Sequence, residues 1–191
     1  MRLLILAPLH GCAATNAVGC VTRAYFGPAR RLVGLSPSTL AALDLSSTAL
    51  TGLGKALSHA TLPSLTRLRL DSCHLRSLDG IEGLARLTEL SVRHNQLSDA
   101  GALRHLSSLR TLSLDENFLT DAAPIASCTA LTQLSVSGND LAHVQLHALR
   151  GLESLNIANN PLASDAGLAC CSSLTMLNVA GCQVRGGKDE K

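Results

Sequence analysis

The segment LTELSVRHNQL (87–97) returns 22 residues later as LRTLSLDENFL (109–119), and no other feature of the sequence constrains the fold as tightly. Six such frames begin at Leu65, Leu87, Leu109, Leu131, Leu152 and Leu174, at intervals of 22, 22, 22, 21 and 22 residues. Position four is always leucine, position six is Leu, Val or Ile, position nine is Asn or Cys, and position eleven is Leu or Val. A looser seventh frame, LAALDLSSTAL (40–50), precedes them with Thr48 in the ninth slot. A period of this length marks a chain of equal coils, each burying its apolar face against the next.

Positions four and six flank one residue, so both side chains fall on one face of a short strand. Successive strands then lie side by side at about 4.8 Å, giving a parallel sheet whose inner face is a continuous core. Position nine sits where the chain leaves the strand and turns inward. An asparagine amide both donates and accepts, so it satisfies turn backbone groups that burial would leave unpaired. Cys73, Cys182 and Thr48 fit that slot by size but bond more weakly, which predicts softer turns there. In the second half of each repeat the apolar residues fall three apart, as in Leu78, Ile81, Leu84 and in Ala100, Leu103, Leu106. That step suits short 3-10 or helical turns. The set Val144, Leu146, Leu149 has lost one residue, which predicts a local distortion.

These slots spell L-x-x-L-x-L-x-x-N/C-x-L, and over residues 40–184 the chain resembles leucine-rich-repeat proteins. The spacing and the stretch SLDGIEGL (77–84) are similar to the 22-residue repeats of phosphatase regulators and internalins, whereas the two SDAG segments (98–101, 164–167) resemble the ribonuclease-inhibitor style. The resemblance implies an α/β, right-handed solenoid of about seven repeats, with a concave parallel sheet and short 3-10 or α turns on the convex side. It also implies binding rather than catalysis, since similar short repeat proteins serve as phosphatase regulators, splicing components and axonemal subunits.

Composition agrees with a reused packing unit: 46% of residues are hydrophobic but only 2% are aromatic (Tyr25, Phe26, Phe118). A net charge of +2, without aromatic platforms among the arginines, argues against nucleic acid as partner. No apolar run approaches the ~18–20 residues of a membrane span. Seven cysteines without CxxC spacing, and the lack of any Asn-x-Ser/Thr sequon, point to free thiols in a reducing compartment. An intracellular, cytoplasmic or cytoskeletal setting follows. Residues 1–39 form an N-terminal cap or a targeting segment: Arg2, Arg23, Arg30 and Arg31 stand there without an acid before Asp44, so mitochondrial and secreted destinations stay open. Residues 40–184 are the repeat domain, and 185–191 are a charged tail.

Motifs that carry chemistry are imitated rather than met. TGLGKAL (51–57) lacks a phosphate loop's first glycine, where Ala49 stands, and its magnesium-holding hydroxyl, where Ala56 stands. His143 and His147 are spaced i, i+4 without the glutamate of a zincin or a third ligand. Cys128, Cys170 and Cys171 read first as small packing residues. No spacing assembles nucleophile, base and orienter. The expectation is a protein with no enzymatic activity, cofactor, metal or small-molecule substrate.

Positions three, five, seven and eight of each frame point away from the core. In the first half of the stack they are charged: Arg67, Arg69, Asp71, Glu89, Arg93, His94, Asp115 and Glu116. These residues either pair with one another as a lateral ladder or dock a partner, and concave faces are where solenoids bind. At the other end, Met176, Leu177, Val179 and Val184 are left beside a tail too short and polar to cap them, which exposes a strand edge to a second contact. The chain is expected to bind one or more proteins within a multi-subunit complex, as an adaptor or structural subunit of a cytoskeletal, axonemal or organellar assembly. A secreted or surface recognition protein and an RNA-associated factor are the alternatives.

Overall fold

The computed structural model describes residues 3–5, 40–48, 50, 52–53, 62–163, 167–168 and 170–182. The expectations for residues 6–39, for Val184, for the 185–191 tail and for Ala49, Gly54 and Ala56 lie outside these residues.

Each repeat contributes a three-residue strand at its positions three to five. The strands are β1 (Leu3–Ile5), β2 (Ala42–Asp44), β3 (Arg67–Arg69), β4 (Glu89–Ser91), β5 (Thr111–Ser113), β6 (Gln133–Ser135), β7 (Ser154–Asn156) and β8 (Met176–Asn178). They form one sheet in chain order, every neighbour parallel. The register aligns position four throughout, so Leu43, Leu68, Leu90, Leu112, Leu134, Leu155 and Leu177 stack as one column. Seven of the eight strands belong to the repeat frames; β1 lies outside them, beside β2.

The stack is held by a bond pattern that repeats with the frame. The position-six amide donates to the position-five carbonyl of the next coil, as from Val92 to Ser113 at 2.9 Å. The position-eight amide donates to the next position-seven carbonyl, as from His94 to Asp115 at 2.9 Å. To aim that amide sideways the backbone turns left-handed at position eight in every frame: Ser47, Ser72, His94, Glu116, Gly138, Asn159 and Gly181 all have φ between 52° and 71°. At position two, Thr66, Thr88, Thr132 and Thr175 donate their hydroxyls to the position-two carbonyl of the preceding coil, at 3.0 to 3.2 Å.

Position nine behaves as its chemistry requires. Asn95, Asn117, Asn139 and Asn160 are buried. Each accepts the position-eleven amide of the preceding coil through Oδ1: Leu75, Leu97, Leu119 and Leu141, at 2.9 to 3.1 Å. Each also donates Nδ2 back to that coil's position-six carbonyl: Leu70, Val92, Leu114 and Val136, at 2.8 to 3.0 Å. No buried side-chain nitrogen or oxygen lacks a partner among the described residues.

The convex side closes the core. Segments Gly101–His105 and Ala123–Ser127 form 3-10 turns, burying Leu103 and Ile125. No α-helix occurs among the described residues, so the helical alternative for these turns gives way to the tighter 3-10 form, which suits the three-residue apolar step. The shortened repeat has no 3-10 turn, yet Val144, Leu146 and Leu149 are still buried. Its distortion appears as a close approach: a Cβ on Gly167 would fall on the Val144 carbonyl. Leucines dominate a single core running the length of the sheet; burying each contributes roughly 1.5–3 kcal/mol.

Candidate functional site

The strands' outward side chains line a groove of about 400 Å³ across β2 to β5. Of the eight concave candidates, Arg67, Arg69, Asp71, Glu89 and Arg93 meet in this one groove. His94 and Glu116 do not line it. They occupy the left-handed position eight, where the backbone directs them to the rim, and both are exposed. Glu116 lies over Gly138, whose missing side chain makes room for it. Asp115 sits beneath Arg93 and is almost fully buried.

The ladder anticipated from alternating signs forms in part, as two separate ion pairs. Arg67 Nε pairs with Glu89 Oε1 at 3.2 Å, and Arg93 Nε with Asp115 Oδ2 at 3.1 Å. Asp115 is further committed: its Oδ1 accepts from the Ser135 hydroxyl, and from the Ser137 amide and hydroxyl at 2.9 and 2.8 Å. Asp71 Oδ1 accepts from the Ser91 hydroxyl at 2.7 Å and from the Arg93 amide at 2.8 Å. Asp71 and Asp115 thus bind neighbouring coils together through their Oδ1 atoms. Arg69 differs. It is exposed and makes no side-chain hydrogen bond or ion pair among the described residues, although Asp44 stands beside it in register.

The groove is also lined by Asp44, Ser91 and Ser113 at position five. A selection by charge passes over the two serines. Their signal is positional, since position five faces outward in every frame. Ser113 accepts from an Arg93 guanidinium nitrogen at 3.1 Å, which holds that arginine against the sheet.

Among the described residues, β8 carries exposed apolar side chains. Leu177 is 49% exposed where its counterpart Leu155 is 1% exposed, and Val179 and Met176 are 39% and 63% exposed. Three of the four flank candidates are therefore exposed, Leu177 and Val179 on the side that is core in the inner coils and Met176 on the outward side. Phe118, at the turn edge, is exposed alone.

The remaining candidate chemistry is dispersed. His143 and His147 are exposed on the convex side, and no group of three or more His, Cys, Asp or Glu among the described residues is arranged to hold a metal ion. Cys73, Cys128 and Cys171 are buried thiols, Cys170 is exposed, and none is in a disulfide. Burial pushes the Cys128 thiol up to about 11 and raises those of Cys73 and Cys171 as well. Raised thiols hold their protons and are poor nucleophiles. No helix among the described residues is long and apolar enough to cross a membrane.

A family model described as leucine-rich repeats, two copies, matches residues 85–126. This match falls on the coils where sheet, asparagine column and 3-10 turns coincide. The chain folds as a leucine-rich-repeat solenoid. A search of curated proteins finds no sequence match. Among solved structures, internalin C2 from Listeria monocytogenes superposes with a TM-score of 0.69 at 26% identity, covering 74% of this chain and 62% of that one. The leucine-rich-repeat protein LIC12759 from Leptospira interrogans gives 0.70 at 27%, covering 76% and 38%. Internalin InlF from Listeria monocytogenes gives 0.61 at 22%, covering 76% and 55%, a likeness of fold alone. The present chain therefore spans less than two thirds of each of these proteins. Its 22-residue coils are structurally similar to internalin-type domains, and a leucine-rich-repeat domain is typically a non-catalytic module for protein interaction.

Proposed function

We propose that this leucine-rich-repeat chain is a non-catalytic adaptor or structural subunit that holds another protein in the concave groove between β2 and β5. The supporting observation is Arg69, an exposed and unpaired guanidinium in a groove whose other two arginines, Arg67 and Arg93, are engaged in ion pairs. A partner carboxylate reaching Arg69 displaces only water, whereas pairing with Arg67 or Arg93 requires breaking an existing ion pair. The exposed flank at Met176, Leu177 and Val179 is a second contact for the same assembly, which suits a subunit placed between neighbours. The unpaired thiols among the described residues favour a reducing, cytoplasmic or cytoskeletal setting.

The test is crosslinking and native pull-down with the wild-type chain, with Arg69→Glu and with the triple variant Arg67→Ala, Arg69→Ala, Arg93→Ala. Loss of capture in both variants, with circular dichroism unchanged, supports the groove. Capture retained by the triple variant moves the contact to the flank or the convex side. A captured RNA whose binding falls steeply with salt would replace the protein reading.

A further inference from the structure

The bonds between neighbouring strands are of one kind along the whole stack, but the bonds between neighbouring turns are not. Between the coils of β3 and β4, β4 and β5, β5 and β6, and β6 and β7, an asparagine side chain crosses the joint at least twice. It donates to one carbonyl and accepts one backbone amide, or two at Asn95, whose Oδ1 takes both the Cys73 and the Leu75 amides. At the joint between β2 and β3 the corresponding residue is Cys73, and between β7 and β8 it is Cys182. A thiol reaches the position-six carbonyl, Leu45 or Ile157, at 3.1 Å in each case. It offers no comparable acceptor to the position-eleven amide. That amide closes on its own turn instead: Leu50 donates to the Thr48 carbonyl at 2.7 Å, and Leu162 to the Asn160 carbonyl at 2.9 Å. The joint to β8 thus keeps one weak thiol contact in place of the amide bonds, and the joint between β2 and β3 keeps that contact and a long one between Thr48 Oγ1 and Cys73 Sγ at 3.7 Å, while the turn before each becomes self-contained.

In a solenoid, stability is the sum of coil terms and nearest-neighbour joint terms. The coil of β2, which β1 flanks on its other side, and the coil of β8 both meet the inner stack through the weaker kind. We propose that β2, together with the β1 strand paired to it, and β8 open independently of the block from β3 to β7, as separate low-energy units of the fold. The β2 coil supplies one wall of the groove through Ala42, Leu43 and Asp44, so its opening takes that wall away while Arg67, Arg69 and Glu89 stay in place. The groove is then a gated surface, and a ligand touching both walls closes the β2 joint.

The chain carries its own reporters. Cys73 lies in the weak joint and Cys128 in the middle of the block, and both are fully buried. Each is alkylated only after its surroundings open. Pulse labelling of the native chain with iodoacetamide, read by peptide mass spectrometry across a urea series, is expected to label Cys73 at least tenfold faster than Cys128 without denaturant. The urea dependence at Cys73 is expected to be shallower, because less surface is exposed. The Leu45 amide, which donates across the weak joint to Arg69 at 2.9 Å, is expected to exchange hydrogen faster than the equivalent Leu114 amide. Cys73→Asn is expected to slow Leu45 exchange and leave Leu114 unchanged. Equal labelling of Cys73 and Cys128 with equal urea slopes, or a Leu45 amide as protected as Leu114, overturns the proposal by showing one cooperative unit.

Discussion

Asn117 accepts the amide of Leu97 through Oδ1 at 3.1 Å and returns a donation from Nδ2 to the Val92 carbonyl at 2.9 Å, both across the joint to the preceding coil. Removing the side chain leaves that amide and that carbonyl buried without partners. Asn117→Ala is therefore expected to cost about 3 kcal/mol, measured as a shift in the urea midpoint at constant slope. Asn117→Cys should cost less, because it recreates the slot found at Cys73. In that variant the Leu97 amide is expected to turn onto the Asn95 carbonyl, as Leu50 does onto Thr48.

Gly167 marks where the shortened coil draws two repeats together. A methyl group there meets the Val144 carbonyl, a backbone atom that cannot swing aside. Gly167→Ala is expected to lower stability by about 1–3 kcal/mol through overpacking. The matched control is Gly151→Ala, where the nearest atom to a new Cβ is the Leu131 carbonyl oxygen at 4.0 Å, and no loss is expected. Equal melting temperatures for the two variants would contradict the close approach.

The Cys128 thiol, raised to about 11 by burial from an ordinary 9.0, makes stability depend on alkaline pH. Above the unfolded value the unfolded chain binds fewer protons than the native one, so stability falls as pH rises. The contribution is fully present below pH 9 and is lost between about 9 and 11. By linkage it amounts to roughly 3 kcal/mol at most. Chemical denaturation at pH 8 and pH 10.5 should show the loss, and Cys128→Ala should reduce it. Cys73 and Cys171 are raised in the same direction and supply the remainder.

Leu155 and Leu177 occupy the same slot on adjacent strands but differ in cover. Leu155→Ala is expected to cost roughly 2–5 kcal/mol, as for a core leucine, and Leu177→Ala about 1 kcal/mol or less. If the Leu177 variant proves as costly as the Leu155 variant, the flank is covered in solution.

Much of this was legible in the sequence because the period fixes which side chains share a face. Leu43 through Leu177 stack in one register, and the asparagines bond as an amide in a turning chain must. The threonines at position two carried a visible signal too, since Thr66, Thr88 and Thr132 recur in frame; bond-forming capacity there is easily overlooked beside the apolar slots. Less legible was how the charged groove divides its partners. Asp71 and Asp115 turn inward onto Ser91, Ser135 and Ser137, a choice set by lateral distances between coils. Spacing along the chain places Arg67, Arg69 and Arg93 on one surface, but only the packed arrangement shows that Arg69 alone is unengaged. The closure of Leu50 and Leu162 onto their own turns depends on what the next coil fails to offer, so no single frame reveals it.

The common register of β2 to β8 has an evolutionary consequence. Because every coil presents the next with the same stencil of leucines and outward-facing amides, a duplicated 22-residue block spliced between two asparagine rungs meets matching surfaces above and below. Copy number is thereby decoupled from foldability, and such a lineage can lengthen or shorten its recognition surface by unequal recombination without inventing a new core.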